Sequence, residues 1–323
     1  MSRPAIRLAA ATILCALALS GVATAATRGV DLRVVNTQGK TLAELRQYTG
    51  AVSIRTDPGA DCFGQGTGGS GQRAEVSGPT ALGAVRDALP STPGLRPLSV
   101  TDAFADQGFG LGVCGIGGYV AHGSSFWYLK RNHAGAQVSG SQLTVRQGDD
   151  VLWYLAPGFP PPQELALQAP ARARPNVPFQ VTVYGYGDGG ARHPVAGATV
   201  TDAARPTDAD GHTMVRAPAG TRSLRATYSP GIPSNHVEVC IAADLSACPE
   251  AHGKRILGSD HGDEIAGTPG WDSIYARGGG DSIDLRSGGR DRVGCGPGRD
   301  RVILGASDHD DRIARSCERV IRK

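Results

Sequence analysis

The sequence predicts a mainly β, multi-domain protein: a small α+β domain, then a β-sandwich, then a C-terminal parallel β-roll. Three observations carry this. The 46 Gly and 21 Pro among 323 residues make up about a fifth of the chain, against roughly 12% in ordinary globular proteins, which favours turn-rich β structure over helical bundles. Two breaks, Ala156-Pro157-Gly158-Phe159-Pro160-Pro161-Pro162 and Ala247-Cys248-Pro249-Glu250-Ala251-His252-Gly253, interrupt the strand patterns on either side. The first is a proline cluster that continues neither strand nor helix and suits a stiff linker. The segment 252–323 then repeats an Asp and a β-branched residue at a period near nine.

The N-terminus reads as an export signal over residues 1–25. Arg3 and Arg7 give it a positive start, Leu8 to Val22 form an apolar run, and Ala23-Thr24-Ala25 offers small residues for cleavage after Ala25. The run is shorter than the roughly 20 residues that span a bilayer, so no stable membrane insertion is expected. The mature protein is expected outside the cell, secreted. Thirty-three bases against 30 acids give a net charge of +3, and the leader takes two Arg and no acid, leaving +1. That balance excludes nucleic acid as an expected partner.

Six cysteines remain after the leader, falling two, two and two along the chain. An even count in an exported protein argues for disulfides. The expected pairs are Cys62–Cys114, Cys240–Cys248 and Cys295–Cys317, one in each module.

Module one, residues 28–157, opens on Val30, Leu32 and Val34 alternating with Asp31 and Arg33, the period of a half-buried strand. Residues 79–89 place Leu82, Val85 and Leu89 on one helical face, with Pro79 in the first turn. Phe126 to Leu129 and Val151 to Leu155 read as aromatic-rich strands, the second entered through a Gly148-Asp149-Asp150 turn. Thr80-Ala81-Leu82, Gly115-Ile116-Gly117-Gly118-Tyr119, Ser125 to His133 and Gly148 to Trp153 resemble the transcobalamin C-terminal-like domain family over about 130 residues. The resemblance implies a β-grasp-like fold. In the corrinoid carriers of that family the domain forms one wall of a ligand site, and the partner domain that supplies the other wall has no counterpart here.

Module two, residues 163–247, alternates Phe179, Val181 and Val183 with Gln180 and Thr182. Short strands follow at Ala198 to Val200, His212 to Val215, Leu224 to Tyr228 and His236 to Val239, separated by Asp210-Gly211 and Ala219-Gly220 turns. Short strands at this spacing make a sandwich. Pro194 to Val200 followed by Thr207-Asp208-Ala209-Asp210-Gly211 resembles bacterial immunoglobulin-like or carboxypeptidase-regulatory-like repeats, which implies a spacer or adhesion role.

Module three, residues 252–323, carries the units Asp263/Ile265, Asp272/Ile274, Asp281/Ile283, Asp291/Val293, Asp300/Val302 and Asp311/Ile313. Each unit supplies one short strand and one turn of a parallel β-roll. Gly267-Thr268-Pro269-Gly270-Trp271-Asp272-Ser273-Ile274-Tyr275 resembles the haemolysin-type (RTX) nonapeptide. In that motif glycine frees the sharp turn, Asp supplies hard oxygen and the aliphatic residue fills the core. The resemblance implies Ca²⁺ held by Asp263, Asp272, Asp281, Asp291 and Asp300, with the ligands of one ion about 18 residues apart, as in Asp263 with Asp281 and Asp272 with Asp291. The segment also departs from the motif. It holds 12 acids against 13 bases, His261 stands where glycine is usual, and Arg290, Arg292, Arg299, Arg301 and Arg312 flank the later Asp residues. A guanidinium pairs with a carboxylate in a bidentate fork and so stands in for a cation, leaving ion-free later repeats as the alternative.

Other motifs lead elsewhere. Gly110-Leu111-Gly112-Val113-Cys114-Gly115 matches a dinucleotide fingerprint with no helix after it. Gly39-Lys40-Thr41 reads as a turn, and Ser70 belongs to a Gly-rich loop rather than a nucleophile elbow. Asp308-His309-Asp310-Asp311, and His261 near Asp260 and Asp263, read as solvated turns rather than transition-metal ligands. With no His-Glu-x-x-His helix and no free thiol, the reading is a secreted, non-enzymatic calcium-binding protein whose first two modules bind or space a cell-surface partner. The alternatives are a carrier of a small, corrinoid-like ligand on Trp127, Tyr128, Trp153 and Tyr154, and an exported hydrolase.

Overall fold

The alternation at Val30, Leu32 and Val34 forms β1 (Arg28–Val35), which buries those three residues on one face and turns Asp31 and Arg33 to the other. A tight turn at Asn36 and Gly39 returns the chain as the antiparallel β2 (Thr41–Thr49), a strand the sequence reading did not mark. The computed structural model describes residues 26–306 and 310–323. The leader expected over residues 1–25 lies outside these, as do Asp308 and His309. Among the described residues the protein is mainly β, with several sheets and one short α-helix.

The remainder of module one comprises β3 (Val52–Arg55), β4 (Arg73–Val76), α1 (Ala81–Ala88), β5 (Leu98–Thr101), β6 (Gly112–Ile116), β7 (Tyr119–Val120), β8 (Phe126–Arg131), β9 (Ala134–Gly135) and β10 (Asp150–Ala156). α1 starts two residues after Pro79 because Thr80 is its cap, the hydroxyl accepting from the Gly83 N–H at 3.1 Å. Leu82 and Val85 pack with Val30, Leu32 and Val34 of β1. β10 lies parallel to β1, and β8 is antiparallel to β10. Trp127 and Trp153 enter the core beneath α1, while Tyr128 and Tyr154 pack on the opposite face with Ile232 of module two. Packing takes up all four rings of the aromatic strands.

Module two comprises β11 (Glu164–Gln168), β12 (Arg172–Ala173), β13 (Phe179–Tyr186), β14 (Arg192–Pro194), β15 (Thr199–Val200), β16 (His212–Val215), β17 (Gly220–Leu224), β18 (Ala226–Thr227) and β19 (Val237–Ile241). One sheet joins β11, β13, β14 and β16, and another joins β12, β19 and β17. Leu165 and Val183 from the first meet Leu224 and Val239 from the second in a common core. The strand expected over Leu224 to Tyr228 breaks at Arg225, because β17 pairs with β19 whereas β18 pairs with β15.

The C-terminal segment winds through β20 (Arg255–Leu257), β21 (Glu264–Ala266), β22 (Ser273–Tyr275), β23 (Ser282–Asp284), β24 (Arg292–Gly294), β25 (Arg301–Leu304), β26 (Arg312–Ile313) and β27 (Arg319–Arg322). Alternate strands pair in parallel, giving the ladders β20-β22-β24-β26 and β21-β23-β25-β27. Each unit turns one aliphatic residue inward, and Ile256, Ile265, Ile274, Ile283, Val293 and Val302 fill the space between the ladders. Fully burying each is worth about 1.5–3 kcal/mol.

The first of these ladders is not separate from module one. β20 pairs in parallel with β2, Arg46 opposite Ile256 and Gln47 opposite Leu257, so one nine-stranded sheet runs from β26 to β9. Tyr48 of β2 enters the core of the coil, and Leu257 of β20 enters that of module one. The three disulfides are Cys62–Cys114, Cys240–Cys248 and Cys295–Cys317, as expected.

Candidate metal centre in the C-terminal coil

Each unit of the coil places its Asp at the end of a turn, immediately before the strand. The five expected ligands thereby line up in two columns, one on each edge. In the first, the Asp263 N–H donates to Asp281 Oδ1 at 2.9 Å, the Asp281 N–H to Asp300 Oδ1 at 2.8 Å and the Asp300 N–H to Glu318 Oε2 at 2.9 Å. In the second, the Lys254 N–H donates to Asp272 Oδ1 at 2.7 Å, the Asp272 N–H to Asp291 Oδ1 at 2.9 Å and the Asp291 N–H to Asp311 Oδ1 at 2.9 Å. The expected pairs, Asp263 with Asp281 and Asp272 with Asp291, are therefore direct neighbours. One oxygen of each carboxylate satisfies a turn N–H that has no ladder partner, a demand that buried backbone makes of every turn. Lys254 and Glu318, which close the columns, were missed. Val320, two residues after Glu318 as in every other unit, is the signal that marks the latter as a further unit.

The second oxygens separate the early turns from the later ones. Asp263 accepts from the Ser259 N–H at 2.6 Å and from its hydroxyl at 3.1 Å. Asp272 accepts from the Thr268 N–H and from its hydroxyl at 2.7 Å. Four residues before Asp281 and Asp300 stand Arg277 and Gly296, which carry no hydroxyl. Asp281 and Asp300 are each 2% exposed, and Oδ2 of both is enclosed with no hydrogen-bond partner. Burial pushes the carboxyls of Asp263 and Asp272 up. Burial, with the like charges of Asp263 and Asp300 on either side, pushes Asp281 up to about 7.

Arg290 and Arg301, two of the flanking arginines, go elsewhere. Arg290 pairs with Asp310 at 3.1 Å and lies over the Trp271 ring, and Arg301 donates to the Ser282 hydroxyl. Arg277 leaves the turn to bond Asp260 at 2.8 Å and the Asp87 carbonyl. The turn carbonyls pack against glycine in the next turn: a Cβ on Gly289 would stand 2.2 Å from Gly270 O, and one on Gly279 2.4 Å from His261 O. His261 occurs where glycine is usual because its turn is the first on that edge. Its imidazole Nε2 lies 3.0 Å from Ala51 O of module one.

A second group, His133, Asp150 and Glu164, brings three ligand atoms within 4.8 Å of one another. Arg33 and Lys130 already bond Glu164, so protein cations occupy the place a metal would take. The Asp281 and Asp300 column is the better donor set for a hard cation, since both carboxylates are buried and, among the described residues, neither has a salt bridge. No family model, no curated protein and no solved structure matches this chain.

Proposed function

We propose that the protein is an exported, non-enzymatic calcium-binding protein, and that its C-terminal coil is a haemolysin-type β-roll presenting two upstream binding or spacer modules. The partnerless Oδ2 atoms of Asp281 and Asp300 on adjacent turns of one edge carry this reading. The two carboxylates would hold Ca²⁺, and the ion would supply the positive charge that the buried column lacks. Three disulfides are compatible with an extracellular protein. No helix among the described residues is long and apolar enough to cross a membrane.

The finer fold names belong to the same reading. The order β2-β1-β10-β8, parallel at its centre and covered by α1, supports a β-grasp-like, transcobalamin C-terminal-like first module. Two sheets around one core support an immunoglobulin-like second module.

Calorimetric titration of the mature chain with CaCl₂ tests the proposal. Saturable heat is expected in the range of extracellular modules, a Kd of about 10⁻⁴ to 10⁻³ M. It should be lost in Asp281→Asn and Asp300→Asn, and retained in Thr268→Ala on the other edge. Absence of heat through the millimolar range, or heat unchanged in both Asn variants, would leave the columns as backbone caps alone.

A further inference from the structure

A cleft of about 700 Å³ lies where the three modules meet, within the roughly 300–1,000 Å³ of small-ligand sites. Its floor is the face of β1, β2 and β10 that turns away from α1. One wall is module two around β17 and β19, and the other is the start of the coil. Contacts between modules fix these walls. Asp31 on the floor takes the Arg46 fork at 3.0 Å through each nitrogen and Lys254 of the coil at 2.6 Å. Glu44 takes the N–H of His236 in module two at 2.8 Å and lies 2.6 Å from that residue's Nδ1.

Four carboxylates and four cationic side chains line the cleft, so it selects no net charge. Of the three carboxylates on the floor, Asp31, Glu44 and Asp150, one is left over. Asp150 stands directly beside Asp31 across the parallel pair of β1 and β10, yet Arg46 and Lys254 both go to Asp31. Asp150 Oδ1 is enclosed without a hydrogen-bond partner. On the coil wall Trp271, 40% exposed and with the Arg290 guanidinium over one face of its ring at 5.5 Å, lines the same space.

We propose that this cleft binds a neutral saccharide, with hydroxyl groups serving Asp150 and the neutralised ion pairs and a sugar ring lying against Trp271. A hydroxyl both donates and accepts, so a polyol can bond carboxylates and cations in one charge-balanced cleft. An aromatic face buries the C–H side of the sugar ring. A charged ligand would leave one sign of the lining unpaired. The inference does not depend on calcium.

Titration of the mature chain with maltotriose, cellotriose and triacetylchitotriose tests it, with trigalacturonate and chitosan trimer as charged counterparts. Trp127 and Trp153 are buried, so a change in the solvent-exposed part of the tryptophan emission reports Trp271. At least one neutral trisaccharide should give a saturable change. By calorimetry its affinity should fall about tenfold or more, equivalent to about 1.4 kcal/mol, in Trp271→Ala and in Asp150→Asn. Ser223→Trp, an exposed position on the opposite wall, should block binding without touching the core. The proposal fails if no neutral trisaccharide binds at about 10 mM, which corresponds to less than about 3 kcal/mol. It fails equally if a charged counterpart binds more tightly, or if the three variants bind as the wild type does.

Discussion

The Arg33 guanidinium of the first module donates to the Glu164 carboxylate of the second, and both side chains are shut away from solvent. Lys130 Nζ lies 3.3 Å from Glu164 Oε2 and His133 Nδ1 lies 3.1 Å from Oε1, so this one carboxylate from β11 gathers three basic side chains of module one. Arg33 also donates to the Pro233 carbonyl at 3.0 Å. The proline cluster between the modules thus connects bodies that are already locked by buried charge.

Removing that charge strands three partners. Glu164→Gln should cost about 3–5 kcal/mol, the usual result of breaking a buried pair from one side, read as a lower urea midpoint. Burial pushes the Glu164 carboxyl up, but the His133 hydrogen bond and the charges of Arg33, His133 and Lys130 outweigh it and hold it at about 2. A depressed acid stabilises above its ordinary value near 4.5, so this contribution should disappear as pH falls from there towards 2. A flat stability profile across that window would show that the lock contributes nothing.

Asp87 behaves in the opposite sense. It is buried on α1 with Arg86 3.4 Å away, the Thr49 hydroxyl and Arg277 favouring its charge, and Asp260 opposing it. Burial prevails and pushes it up to about 6. The folded state therefore holds this proton more tightly than the unfolded chain. The stabilisation is full below about 3.8 and is lost as pH rises through 6. Asp87→Asn should raise stability by about 1–2 kcal/mol at pH 7.5 and leave it unchanged near pH 4, by thermal melting at both. A loss of stability at pH 7.5 would mean that the charged form is the one the fold needs.

The coil should tell two of its turn glycines apart. Gly289 has φ +124° and would drive a Cβ to 2.2 Å from Gly270 O, whereas a Cβ on Gly278 meets nothing nearer than 3.9 Å. Gly289→Ala should cost at least about 3 kcal/mol, with hydrogen-exchange protection lost across the coil. Gly278→Ala should stay within about 0.5 kcal/mol of the wild type. Equal effects would overturn the stacked-turn geometry.

Cys295–Cys317 closes a loop of 22 residues across the last turns, which the chain-entropy account values at about 3 kcal/mol. In Cys295→Ser/Cys317→Ser, trypsin should cut first at Arg312, Arg315 and Arg319, all exposed, while Arg255 beside module one stays protected. Simultaneous cutting at both ends would indicate that the coil melts as a unit, with the bridge adding nothing local.

Strands that alternate along their own sequence were legible, and β1, β8, β10 and β13 fall where the pattern placed them. β2 was not. It carries Glu44, Arg46 and Gln47, whose partners His236, Asp31 and the Gly258 carbonyl come from another module, a paired strand and the coil. No local period encodes such partners. The aspartates of the coil were legible as a column at a spacing of nine. Their division of labour was not, because it depends on where the hydroxyl four residues earlier turns, onto the carboxylate from Ser259 and Thr268 but onto the Thr268 carbonyl from Ser287, and on a backbone N–H one full turn away. Adjacency in the sequence casts the arginines as counter-ions of the neighbouring Asp, but Arg290 reaches Asp310 and Arg301 reaches the Ser282 hydroxyl, partners 20 and 19 residues away.

The parallel pairing of β2 with β20 makes the edge of a folded domain the template on which the coil is wound. A rod grown from such a seed has a fixed origin and lengthens by whole turns, so its length is quantised. An insertion or deletion of 18 residues, the step from Ile256 to Ile274, would extend or shorten it by one interstrand spacing, about 4.8 Å. The cleft, the charge lock and the first turn would keep their places through every such change in reach.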